Sequence, residues 1–368
     1  MTTRREFLGT TAGALAGLAF VGCDLLTAAP ARAQGAKRVV QIGGKRVKTV
    51  DVHAHCAVPE ALALVGMKLG DPGPATRPDL SMVSAVGERL KAMDEQGIDV
   101  EALSINAFWY KAERDLAKQI CVIQNEKLAA ACAAHPDRFV AFATVALQHP
   151  ELAAEQLEEG MKKYGLRGAG IGGSVNGEDL GDGKFHPFFA KAEQLGAVLF
   201  IHPQGSGVAA EIPKRLKGNG LLGNIIGNPL ETTIALSHLI FDGTLDRFPG
   251  LKICAAHGGG YLPSYAGRSD LGCSTQPTQC PGGPHGAIKK KPTEYLRQMY
   301  YDTMVFTSEG LRHLAAEVGV DKLMIGTDYP YPWTKVAVDH ILNTPGFTDE
   351  QKMAMLGGNA VKLLGIKA

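Results

Sequence analysis

Thr49-Val50-Asp51-Val52-His53-Ala54-His55 is a short apolar stretch that ends in two histidines one residue apart. Successive side chains of an extended chain point to opposite faces, so residues i and i+2 share one. His53 and His55 therefore project together from the end of a β-strand. Outward from this point, short apolar runs alternate with helix-period segments. Strands are expected at 49–53, 100–105, 139–147, 168–171, 197–202, 252–257, 299–306 and 322–328. Helices are expected at 82–96, 112–135, 151–164, 187–195, 229–248 and 349–364. Strands alternating with helices in this way over roughly three hundred residues predict an α/β fold, a closed (β/α)8 TIM barrel. A doubly wound open sheet would want a Gly-rich phosphate turn after an early strand, and none is present.

The chain has 368 residues, 45% hydrophobic and 20% charged, with 45 glycines and a formal net charge of +1. That balance points to no nucleic-acid or membrane-surface partner. The first segment is different. Thr3-Arg4-Arg5-Glu6-Phe7-Leu8-Gly9, a small apolar run and Ala31-Arg32-Ala33 have the layout of a twin-arginine export signal, expected at 1–33 with cleavage after Ala33. A membrane anchor and a lipoprotein site at Cys23 are the weaker alternatives, since the apolar run is short for a span. The mature domain is then 34–368, periplasmic or secreted, with the twin-arginine translocase as a partner during export. Of the seven cysteines, Cys56, Cys121, Cys132 and Cys254 are expected as buried thiols. Cys273 and Cys280 flank a Pro/Gly-rich loop where an oxidising compartment permits a disulfide.

Polar residues gather at the C-terminal ends of the expected strands. They are His53 and His55 on the first, His202 before Pro203 on the fifth, His257 before three glycines on the sixth, and Asp328 on the eighth. Taken singly, each has an ordinary reading: a core imidazole, or an aspartate capping a helix. Together they sit on the rim where barrel enzymes work. Imidazoles with a carboxylate suit Zn²⁺, Mn²⁺ or Fe²⁺. Three long loops, 54–80, 204–228 and 270–292, fall on the same rim, as functional loops do. Lys289-Lys290-Lys291 reads as a solvated loop.

The order His53-Ala54-His55, His202-Pro203, His257-Gly258-Gly259-Gly260 and Gly326-Thr327-Asp328-Tyr329-Pro330, with Met93-Asp94-Glu95-Gln96-Gly97 before the second strand, resembles the amidohydrolase superfamily. Within it the chain is similar to the group that includes aminocarboxymuconate semialdehyde decarboxylase, over about residues 49–365. The resemblance implies that His53, His55, His202 and Asp328 hold one divalent metal ion, with Zn²⁺ expected before Mn²⁺ or Fe²⁺. It implies His257 as catalytic acid/base, with Asp328 beside it. It also implies that Arg77 and Arg268 bind substrate carboxylates. Arg268 would do so in a neighbouring subunit, which makes a homodimer the expected state. No lysine occurs at 168–171, so a second, bridged metal is not expected. Gln204-Gly205 stands where the group's decarboxylase has an aromatic residue, and the loop 273–284 also differs, so the substrate is less constrained than the chemistry.

The activity implied is non-oxidative decarboxylation of an unsaturated or aromatic carboxylic acid. The same ligand set also serves hydrolases and hydratases acting on lactones or C=C bonds. A metal-bearing binding protein without turnover is the reading from another class.

Overall fold

Eight short strands form a ring of parallel pairs. They are β3 (Val50–His55), β4 (Val100–Ser104), β5 (Phe139–Ala141), β6 (Gly168–Gly172), β9 (Val198–His202), β10 (Lys252–Ala255), β11 (Tyr300–Asp302) and β12 (Leu323–Met324). Two hairpins lie outside it, β1–β2 (Gln41–Ile42 with Lys45–Arg46) and β7–β8 (Ser174–Val175 with Glu178–Asp179). The structure is a computed structural model and describes residues 37–71, 74–82, 84–204, 216, 221–280, 288–333 and 335–367. The expected export signal, including Cys23, and most of the loop 204–228 lie outside the described residues, as does 281–287. No helix among the described residues is long and apolar enough to cross a membrane.

The ladder has the order β3-β4-β5 on one side and β6-β9-β10-β11-β12 on the other. Two seams join these runs. Ala143 bridges Ala169, with Ala143 N donating to Gly168 O at 2.8 Å. Asp51 bridges Ile325 and Ala54 bridges Tyr329, with Val52 N donating to Ile325 O at 2.9 Å. The second seam carries a side-chain clasp. The Asp51 carboxylate accepts from Thr327 N at 3.1 Å and Thr327 Oγ1 at 2.5 Å. The ring is closed, as expected for a TIM barrel.

Val52, Val100, Phe142, Val198, Phe200 and Met324 fill the barrel interior. Ala360 and Leu364 of the C-terminal helix Asn359–Leu364 join this cluster. The opposite faces of the strands (Leu103, Leu199, Ile201, Ile253) pack against the surrounding helices. At β6 the approach to β9 is so close that only glycine fits. A Cβ on Gly168, whose φ is 141°, would come within 1.9 Å of Val198 O.

Several expected bounds move. The strand expected at 139–147 pairs only over Phe139–Ala141, with one bridge at Ala143. The helix expected at 229–248 divides into Asn228–Phe241 and Thr244–Arg247, because Gly243 takes a left-handed φ of 78°. The helix expected at 82–96 is ordered as Val86–Gln96. Helix Ala266–Thr275 occupies the start of the loop expected at 270–292. Cys273 and Cys280 are joined in a disulfide, with Cα atoms 5.0 Å apart. Cys56, Cys121 and Cys254 are buried thiols, and Cys132 is half-buried.

Candidate metal centre

The interior of the barrel turns from apolar to polar at one level, and β3 shows how. Val50 and Val52 belong to the interior cluster, so strict alternation would send His53 outward. The β3–β4 register slips between Asp51 and Ala54, which is the signature of a β-bulge. His53 therefore also faces inward, its ring 5.0 Å from that of Phe200. His202, two residues beyond Phe200 on β9, shares that face, its ring 4.4 Å from His55. Asp328 follows β12 with a left-handed φ of 58°, and His257 follows β10 with a φ of 54°. Such conformations cost on the order of 1 kcal/mol for ordinary residues and concentrate at functional sites.

These turns bring donor atoms of His53, His55, His202 and Asp328 within 4.8 Å of one another, all buried. Asp328 Oδ1 lies 3.2 Å from His53 Nε2 and 2.9 Å from His55 Nε2. The two Nε2 atoms are 3.0 Å apart. Their partners determine what those nitrogens carry. His53 Nδ1 is 2.6 Å from Asp302 Oδ2, so it donates there. Ser104 Oγ donates to Ala54 O at 3.1 Å and therefore accepts from His55 Nδ1, also at 3.1 Å. Both Nε2 atoms thus present lone pairs to the same point. Neither ring nitrogen of buried His202 has a hydrogen-bond partner among the described residues. Lone pairs converging with a carboxylate, and a buried imidazole without a partner, are costly unless a cation lies between them. The residues fit one divalent ion with three nitrogen donors and one oxygen.

Electrostatics agree. Burial pushes His55 down to about 4, and burial with the neighbouring imidazoles pushes His202 well below the usual range, so both are neutral donors. Burial opposes charge on His53 too, yet Asp328 and Asp302 carry it up to about 10: this point of the barrel demands positive charge. Burial works against ionisation of Asp328, but His53, His257 and His55 hold its carboxyl well below the carboxylate range.

Asp302, at the end of β11, was not among the residues singled out from sequence. Besides His53, its carboxylate accepts from His257 N at 2.9 Å, Gly258 N at 2.8 Å and Met304 N at 3.0 Å. Gly326 leaves room for it, since a Cβ there would lie 2.6 Å from Asp302 Cβ. An aspartate ending an apolar strand was the available signal, the same one that picked out Asp328. Arg89 was missed as well. It is buried, pairs with Glu101 at 2.7 Å, donates to His55 O and lies 4.6 Å over the Tyr329 ring.

His257 stands at the edge of the group, its Nε2 3.9 Å from Asp328 Oδ2. Its other side lines a cavity of about 440 Å³ with Asn224, Asn228, Met304, Phe306 and Trp333. Arg77 lies near the mouth, 5.3 Å over the ring of Tyr331, which packs 5.5 Å from His55. Arg268 is exposed on helix Ala266–Thr275 and is not brought to this centre within the chain.

The amidohydrolase family model matches residues 50–366. The chain belongs to the amidohydrolase family. It is 31% identical to the 2-amino-3-carboxymuconate-6-semialdehyde decarboxylase of Dictyostelium discoideum, over 76% of each chain. Among solved structures it is similar to the 5-carboxyvanillate decarboxylase of Sphingomonas paucimobilis, with a TM-score of 0.77 and 29% identity over 87% of this chain and 100% of that one. A dihydroxybenzoic acid decarboxylase from Polaromonas, solved with manganese and the inhibitor 2-nitroresorcinol, gives a TM-score of 0.74 at 27% identity, covering 88% of this chain and 98% of that one.

Asp302 holds His53 through Nδ1, away from the Nε2 that would face an ion, so Asp302→Asn should preserve the fold and weaken metal retention about 10- to 100-fold. Metal analysis after dialysis against buffered free Zn²⁺ or Mn²⁺ measures it. Unchanged retention would show that the Asp302–His53 contact does not tune the ligand.

Proposed function

We infer that this amidohydrolase is a metal-dependent non-oxidative decarboxylase, a carboxy-lyase acting on aromatic carboxylic acids. The observation that carries the reading is the position of His257. It faces Asp328 on one side and a cavity of about 440 Å³, of a size to admit a single substituted ring, on the other. The decarboxylases to which the chain is similar support it.

His53, His55, His202 and Asp328 would hold the ion. We propose Zn²⁺, with Mn²⁺ as the alternative that the manganese-bearing Polaromonas relative supports. Such an ion supplies a Lewis acid that binds and polarises substrate oxygens. The chain's own groups do the rest. The cavity holds the ring against His257, with Met304, Phe306 and Trp333 as apolar wall. His257 and Asp328 form the acid/base pair that delivers a proton to the ring carbon bearing the carboxylate. The ring's π electrons form the new C–H bond. The electrons of the breaking C–C bond then restore the aromatic ring as neutral carbon dioxide departs.

Arg77 and Arg268 are proposed as substrate contacts, Arg77 from within the chain and Arg268 from a second copy. A homodimer is supported by exposed apolar side chains beside Arg268. Tyr265 is 69% exposed and Leu271 63%, each three residues from Arg268 along the chain, an arrangement that marks an interaction surface. We also propose export through the twin-arginine route. Mass measurement of the exported form would find an N-terminus at Gln34, and an intact Met1 would contradict it.

Carbon dioxide release from carboxylated phenols tests the activity. Full chain loaded with metal should release it, chelator should abolish release, and His257→Ala should lower kcat at least about 100-fold. Product formed without carbon dioxide would instead assign a hydrolase or hydratase. The dimer gives a separate test. Arg268→Ala and His257→Ala, each impaired alone, should regain activity when unfolded and refolded together, because one mixed site keeps both native residues. Failure to complement would place Arg268 outside the site.

A further inference from the structure

One cation lies fully buried behind the metal centre, and neither the proposed chemistry nor the apolar core accounts for it. Arg89 stands on the inner face of helix Val86–Gln96, one turn before buried Met93, where an apolar residue is the ordinary choice. It is 0% exposed, and its ion-pair partner Glu101 on β4 is 2% exposed. Taking two charges out of water costs several kcal/mol per ion before their attraction offsets it, and well-packed apolar residues often serve stability as well. Arg89 Nε also has no hydrogen-bond partner among the described residues. Stability alone does not explain a guanidinium here.

Its contacts do. Nη1 donates to Glu101 Oε2 at 2.7 Å, and Nη2 donates to the backbone carbonyl of His55. The guanidinium carbon lies 4.6 Å from the centre of the Tyr329 ring, over its face. One side chain therefore holds both the last residue of β3 and the residue that follows Asp328. Each of these anchors flanks a departure from regular backbone. His55 lies beyond the register slip in β3, and Asp328 takes a left-handed φ of 58°. Strand geometry alone sets neither position, so contacts from outside the strands have to set it.

From this geometry we propose that Arg89 is a positioning residue for the metal centre. By gripping the His55 carbonyl and the Tyr329 ring, it sets the approach of His55 Nε2 to Asp328 Oδ1, which are 2.9 Å apart. The inference rests on His53, His55, His202 and Asp328 as ligands and is independent of the substrate. An effect of charge would have the opposite sign. The Arg89 cation repels a metal ion, so losing its charge would tighten metal binding. Losing its grip loosens it.

The test replaces both members of the pair, Arg89→Met with Glu101→Met, in the full chain. That leaves net charge unchanged and no buried charge unpaired. If the pair serves only the barrel, the exchange is close to neutral and metal affinity stays native. The expected result is a folded variant, by circular dichroism and metal-free melting, whose Zn²⁺ affinity falls at least about tenfold. Competition with a chromogenic chelator measures it. The visible absorption of the Co²⁺-loaded variant, which reports ligand geometry, should change as well. Native or tighter affinity in the folded double variant overturns the proposal. If the double variant does not fold, Arg89→Lys decides. Its ammonium keeps the pair with Glu101 but lacks the planar fork that serves carbonyl and ring together. The same loss of affinity is expected there, and native affinity overturns the proposal. No substrate enters these measurements, so failure of the decarboxylase reading leaves them standing. A native chain that binds neither Zn²⁺ nor Co²⁺ sinks the ligand assignment, and the role of Arg89 with it.

Discussion

Two imidazole nitrogens with exposed lone pairs, 3.0 Å apart and flanked by a carboxylate, are the constraint on which the rest of this molecule turns. Water could relieve that repulsion only if it could reach the site, and these side chains are buried. A proton relieves it in part, as the upward displacement of His53 shows. A divalent cation relieves it fully, and with a compensating gain for every donor. Asp302 fixes the arrangement by taking the Nδ1 proton of His53, while the same carboxylate ties down the backbone at His257 and Gly258. One residue therefore sets both the tautomer of a candidate ligand and the position of His257, the proposed acid/base group.

Closure of the barrel is what makes the constraint satisfiable. The candidate ligands come from β3, from β9 and from the turn after β12, and no pair beyond His53 and His55 is local in sequence. Asp51 and Thr327, 276 residues apart, clasp the seam directly beneath the ligands, and Asp328 N donates to His53 O at 2.8 Å across it. The interior below is apolar. Packing there stabilises the ring without specifying chemistry, and the polar layer above specifies chemistry at a cost in desolvation.

How far the sequence could be read follows from which of these features are local. The strand–helix alternation and the rim position of His53, His55, His202, His257 and Asp328 are local signals, and they held. The shared orientation of His53 and His55 also followed from spacing. Their orientation toward the interior did not, because it needs the register slip between Asp51 and Ala54, which no residue in the stretch announces. The left-handed backbones of His257 and Asp328 were equally hidden, since neither residue type demands one. Asp302 lay within an expected strand, but its importance is relational: it matters through His53, which is 249 positions away. The hairpins β1–β2 and β7–β8, with two residues in each strand, are too short to leave a periodic trace. Arg77 was legible as a cation near the mouth. Its pairing with Asp79, to which Nε donates at 3.0 Å and Nη2 at 2.5 Å, was not, because spacing alone does not say that Pro78 starts a turn.

The charge balance of the centre explains why loss of carbon dioxide suits it. With His55 and His202 held neutral, Asp302 and Asp328 held ionised, and His53 giving up its extra proton to an ion at its Nε2, the protein side would carry two negative charges, which one divalent ion would cancel. A substrate carboxylate entering this buried site restores a net negative charge in a medium that solvates it poorly. Decarboxylation with proton delivery discharges that excess: one proton is consumed, a neutral ring remains and a neutral gas departs. Hydrolysis of an ester or lactone would do the reverse, generating an anion where none entered. Carboxylate loss therefore runs downhill electrostatically in the same interior that makes carboxylate formation costly.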